Sequence, residues 1–185
     1  MTIPSALLRP LAAPLRSDEG VWTPVPGEVE ARLGRQIEQL RAVIPSAGPA
    51  RALLQRELER LEAYQAQLVR TGNLVQLPHG TDPRSIVRPS PALKAELARV
   101  RDQTLEGLRA KLGDPHRWYG GRVPALVSDG LARAQGARDV EALLSRADVR
   151  KALLAMTDFG YEPAREWSDL RAALDAANRA FGLAL

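Results

Sequence analysis

An all-α fold is what this sequence predicts, and three observations predict it. The bulk of the chain is Ala and Leu with Arg, Glu and Gln, a mixture that favours helix. Apolar residues recur three and four positions apart over long stretches, the period of one helix face. No convincing run of alternating β-branched residues accompanies them. At 185 residues and 45% hydrophobic content, the chain can build one domain with a real core, or a smaller domain with an arm.

Residues 1–28 carry Pro4, Pro10, Pro14, Pro24 and Pro26, which no helical period survives, so an extended Pro-rich arm is expected there. Trp22 in that arm is read as a cap on the chain's own core or an anchor for a partner. A helical hairpin is expected over 29–72. Val29, Leu33, Ile37, Leu40 and Ile44 are spaced 4, 4, 3 and 4, and after a turn at Pro45 to Pro49 the stripe resumes as Leu54, Leu58, Leu61 and Leu68. That narrow apolar seam resembles an antiparallel coiled coil, with Gln65 as a polar break able to set register. At 1.5 Å per residue the two helices would be about 24 and 31 Å long. Such a seam must pack on something. It is either core within the monomer or, in the sharper reading, an oligomer interface through Leu33, Ile37, Leu40, Leu54, Leu58, Leu61 and Leu68.

Residues 73–90 are a connector with Pro78, Pro83 and Pro89, and 91–185 a basic helix, a Trp/Tyr/Gly loop and a C-terminal helical bundle. Ser90 suits an N-cap and Pro91 a first helical position, with Leu93, Leu97, Val100, Leu108 and Leu112 along one face. Gly113-Asp114-Pro115 ends that helix. Pro124 opens a short helix that Gly136 closes. Asp139 caps the next, and Ser145-Arg146-Ala147-Asp148 reads as a capping box restarting a helix with Val149, Leu153 and Met156. Gly160 stops that one and Pro163 begins the last, where Trp167, Leu170, Leu174, Ala177 and Phe181 share a face. Arg165/Asp169, Arg171/Asp175 and Asp175/Arg179 lie four apart and should pair on its surface.

Charge is unevenly placed. The net charge is +4, carried by 23 Arg against 3 Lys, a ratio that codon usage in a GC-rich genome also produces. Residues 1–83 are balanced and 123–185 stand at −1. Residues 84–122 hold 9 basic against 4 acidic groups, a net of +5. Guanidinium groups grip phosphate in a fork, so this segment is the candidate nucleic-acid contact. Arg84, Arg88, Lys94, Arg101, Arg109, Arg117 and Arg122 supply charge there, Trp118 and Tyr119 rings that could stack on bases, and Gly120-Gly121 room for close approach. The competing reading has Trp118 and Tyr119 plugging the bundle while the cations pair with Glu96, Asp102 and Glu106.

Catalytic chemistry finds little support. Cysteine is absent, which excludes disulfides, thiolate nucleophiles and cysteine-ligated metal. His79 and His116 sit in loops beside Asp82 and Asp114 without a helix-spaced partner. Gly120-Gly121 lacks the Lys-Ser/Thr of a phosphate loop, and no Gly-x-Ser-x-Gly elbow occurs. Asp158 and Glu162 read as helix-end solvation. Residues 131–139 have the Ala and Gly of a helix-turn-helix, but Asp139 and Glu141 at the start of the following helix would repel phosphate. No catalytic, metal or cofactor residue is assigned. The stretch Met1 to Arg16 is too short and Pro-interrupted for a signal peptide, and no segment suggests a membrane span, so a cytoplasmic setting is expected.

The leading expectation is thus a non-enzymatic nucleic-acid-binding protein, DNA ahead of RNA, oligomeric through its hairpin and touching phosphate through 84–122. The alternative is a helical adaptor or structural subunit whose partner is another protein.

Overall fold

The computed structural model describes residues 15–17, 20–22, 28–71, 88–156 and 162–185. It is mostly helical, with seven α-helices among the described residues: α1 (Glu28–Val43), α2 (Arg51–Thr71), α3 (Leu93–Gly113), α4 (Ala125–Arg133), α5 (Ala137–Ser145), α6 (Ala147–Leu153) and α7 (Glu162–Phe181). The arm expected over 1–28 contributes two three-residue strands, β1 (Leu15–Ser17) and β2 (Gly20–Trp22), paired antiparallel with Leu15 opposite Trp22. The side chain of Trp22, the connector at 73–87, Gly72 and Gly160 lie outside the described residues.

Proline and glycine make the turn after α1. Pro45 cannot continue the helix, and the chain tightens into two 3-10 turns, Ile44–Ser46 and Gly48–Ala50. Gly48 sits at φ +50, a left-handed value that a side chain disfavours. Ala47 and Ala50 are small enough for the turn to be buried, and it seats on α7 and α3. α1 lies against both α2 and α7. Arg41 Nη2 reaches Glu62 at 2.7 Å across α1 and α2, and Gln36 donates to the Ala180 carbonyl at 2.8 Å, tying α1 to the end of α7.

α3 is the element most others touch: α2, α4, α5 and α7 all pack on it. Its buried face comprises Leu93, Leu97, Thr104, Leu105, Leu108 and Leu112. Thr104 fits there because its hydroxyl donates back to the Val100 carbonyl at 2.8 Å. Buried residues of all seven helices belong to one hydrophobic cluster.

Several helix starts differ from the sequence expectation. Ser90 does not cap α3: its N–H donates to the Glu57 carboxylate on α2, at 3.2 and 3.4 Å. Glu57 is only 3% exposed, and Arg60 bonds both to it and to the Arg88 carbonyl while lying over the Tyr64 ring, its charge 5.3 Å from the centroid. Burial is the strongest single influence and works against the Arg60 charge, yet the hydrogen bonds and charges of Glu57 and Tyr64 together outweigh it and hold the guanidinium above its usual pKa. Gly136 begins α5 instead of ending α4. Asp139 then serves from the first turn, its carboxylate accepting from Gln135 N (2.7 Å) and Gly136 N (3.2 Å).

The capping box at 145–148 does not form. The Ser145 hydroxyl donates to the Glu141 carbonyl, and Arg146 occupies the cap position with its guanidinium on Asp148. That hydrogen bond keeps the exposed Asp148 carboxyl below its ordinary pKa. On α7, Arg165 comes within 3.7 Å of Asp169, whereas the two pairs through Asp175 are not made. Gly182 (φ +66) ends that helix, its N–H returning to the Asn178 carbonyl at 2.7 Å.

α4 and α5 approach closely at Gly130. A Cβ built there would stand 2.3 Å from Leu143 Cδ1 and 3.3 Å from its Cγ, and Leu143 is itself buried. Alanine's better helix propensity, about 1 kcal/mol, cannot offset the repacking. Gly130→Val, bulkier still and β-branched, is expected to lower stability by about 1–3 kcal/mol, read from the urea midpoint. An unchanged midpoint would show that the helices can separate there without cost.

Candidate functional site

The chain leaves α3 at Gly113 and turns through Asp114, whose carboxylate accepts the His116 N–H at 3.0 Å and starts a 3-10 turn, Pro115–Arg117. Trp118 follows in extended conformation, φ −107 and ψ 138, and pairs as a single antiparallel bridge with Met156 just after α6. Extended backbone sends successive side chains to opposite sides. One ring therefore goes inward and its neighbour outward. Trp118 is 1% exposed, with its indole N–H on the Leu112 carbonyl at 2.9 Å, while Tyr119 is 82% exposed.

On the facing segment Met156 is buried, whereas Leu154, in helical conformation at the end of α6, is 58% exposed. Tyr119 N donates to Ala155 O at 2.7 Å, so the two exposed residues stand on neighbouring, hydrogen-bonded segments. Tyr119 and Leu154 are the large apolar side chains left in solvent among the described residues. Gly120 and Gly121, at φ +82 and +67, carry the chain out of the bridge, and Gly121 N returns to Trp118 O at 2.9 Å. The cations Arg122, Arg150 and Lys151 are exposed and pair with no carboxylate among the described residues.

Of the nine residues expected to touch nucleic acid, the eight described ones differ in burial and in partners. Trp118 is core and cannot stack on a base. Arg101 Nε contacts Asp102 at 2.9 Å, Arg109 Nη1 lies 3.9 Å from Glu106, and Arg117 Nε lies 3.7 Å from Asp114. Nearby cations outside that set are engaged as well: Lys111 with Glu166 at 2.7 Å and Arg56 with Glu96 at 3.3 Å. Exposed pairs of this kind are weak, but each places a negative charge beside the positive one and flattens the local potential. Lys94, Arg88, Tyr119 and Arg122 remain exposed, and Arg84 lies outside the described residues.

The seam residues have a different fate from the oligomer reading. Leu33, Ile37, Leu40, Leu54, Leu58 and Leu61 are all buried by the chain's own helices, which leaves them no surface for a second copy. The side chain of Leu68 lies outside the described residues. His116 is an exposed loop residue; His79, Asp158 and the Glu162 side chain lie outside the described residues. Among the described residues no group of three His, Asp or Glu side chains could hold a metal ion, and no helix is long and apolar enough to cross a membrane.

Leu154 went unremarked in the sequence, although it stands one position off the Val149–Leu153–Met156 stripe, and a leucine off its stripe is the signal to look for. Comparison of the chain with protein-family models, with curated proteins and with solved structures returns no match.

Proposed function

We propose that this is a non-enzymatic helical protein that docks on another protein through the surface around Tyr119 and Leu154. One observation carries the reading: two large apolar side chains, on segments locked together by the Tyr119–Ala155 hydrogen bond, are held in solvent, with Arg122 and Lys151 three residues from them in the chain and without a carboxylate partner among the described residues. A tyrosine presented on a rigid bridge loses little conformational freedom on binding, which is why such rings serve as interface anchors. The cations would favour a partner with carboxylates around an apolar cleft. α1 and α2 are read as an antiparallel hairpin with a coiled-coil-like seam, a reading the Arg41–Glu62 contact supports. Its seam serves the chain's own core, so any self-association would use another face.

A photo-crosslinking residue at position 119 tests the docking surface in cells. A discrete protein adduct is expected, lost when Leu154→Ser is added and absent when the probe is moved to Arg133. Equal adducts at both positions, or none at 119, would overturn the proposal.

Nucleic-acid binding is the second reading, favoured by exposed Tyr119 beside Gly120-Gly121 and unpaired Arg122. With about three cations left to contact phosphate, log K should fall against log salt with a slope of only about −2 on single strands. Arg117→Glu with Arg122→Glu should abolish that binding. Absent binding at low salt would remove this reading.

A further inference from the structure

A second site lies on α5, α6 and α7, and it goes beyond the protein-docking reading. A cavity of about 270 Å³ opens there, just under the roughly 300 Å³ at which small-molecule sites begin. Its apolar part comes from Leu144 on α5, Leu153 on α6 and Trp167 on α7, all buried in the core. Its polar part is of one sign. Arg150 from α6 and Arg171 from α7 both line it, and no carboxylate among the described residues does.

Neither arginine has a carboxylate partner among the described residues. For Arg171 this is informative, because Asp175 stands four residues on, the spacing at which helix pairs form. Arg171 lines the cavity without making that pair. Two cationic side chains lining one open cavity make it attractive to an anion. Ser168 adds a hydroxyl to the lining. Trp167 adds its indole, whose N–H no acceptor among the described residues takes. Planar guanidinium forks suit the oxygens of a phosphoryl group, and an indole face suits a flat apolar body.

We propose that this cavity binds a small phosphate monoester, its oxyanion held between Arg150 and Arg171 and its apolar body against Trp167, Leu144 and Leu153. The test is a titration of the full chain with phenyl phosphate, followed by the Trp167 indole resonance. Saturable binding is expected, with inorganic phosphate weaker and phenol not saturating. Arg150→Gln with Arg171→Gln should weaken binding about tenfold or more, since hydrogen bonds to charged groups are at stake. Both arginines are exposed, so the fold should survive; Ser168→Glu, at another exposed position, gives an independent version of the same loss. The proposal is overturned if phenyl phosphate does not saturate in the millimolar range or if the double variant binds equally well. It is also overturned if inorganic phosphate binds as tightly, or if the Trp118 resonance moves while Trp167 stays still.

Discussion

Leu58→Asp is expected to unfold the protein instead of releasing a folded monomer. Leu58 is one of the seam leucines that α1, α2 and their neighbours bury in the common cluster. An isolated carboxylate at such a site must lose its hydration or its charge, and neither is compensated by a nearby cation in that row. The cost is about 4 kcal/mol or more, against a typical total of about 5–15 kcal/mol. The milder Leu58→Ala leaves a cavity and should cost about 2–5 kcal/mol, measurable as a shifted urea midpoint with the fold retained. If the seam were instead a contact between copies, Leu58→Asp would give a well-folded monomer in sedimentation, and its circular dichroism would match the parent.

Trp118→Ala should be about as damaging, at about 3–5 kcal/mol, because it removes a Trp side chain that is 1% exposed and holds the bridged segment against the core. Trp118→Phe separates the two contributions. It keeps most of the apolar volume but strips the Leu112 carbonyl of its donor, so a loss of about 1–3 kcal/mol is expected. Tyr119→Ala, one position away, should change stability by no more than about 0.5 kcal/mol, since that ring is in solvent. The contrast is diagnostic. A Trp118 that served as a base-stacking ring on the surface would tolerate alanine as readily as Tyr119 does.

The helices were legible because local chemistry punctuates them. Pro45 and Pro49 bracket the first turn, Gly113-Asp114-Pro115 ends α3, and Pro163 opens α7. What stayed hidden depends on partners distant in the chain. Ser90 looks like a cap until Glu57, 33 residues away, takes its N–H, and nothing near Ser90 announces that. The short β1–β2 pair likewise needs a partner strand that neither segment signals alone.

A repeat of leucines tells which face of a helix is apolar but not whether the same chain covers it, so the seam supported two readings. The rings at 118 and 119 were ambiguous for a related reason. Adjacent residues in extended backbone must diverge, yet sequence does not say which of two aromatics fills the core. The neutralised cations were more accessible: Arg101 has Asp102 beside it, and Arg109 and Arg117 have Glu106 and Asp114 three residues before them. The competing reading of the sequence named Asp102 and Glu106 as such partners, though not Asp114. Arg171 was read from the sequence only as a partner of Asp175, and its link to Arg150 escaped notice because a shared cavity joins them only in space.

Native-state hydrogen exchange, run at two well-separated protein concentrations, tests most directly whether one chain closes its own core over the seam and Trp118. Amides of Leu33 to Leu40 and Leu54 to Leu61 should open with the same free energy as those of Leu105 to Leu112 and Leu170 to Leu174, at both concentrations. Hairpin amides that exchange well before the other helices, or that gain protection as the protein is concentrated, would contradict it.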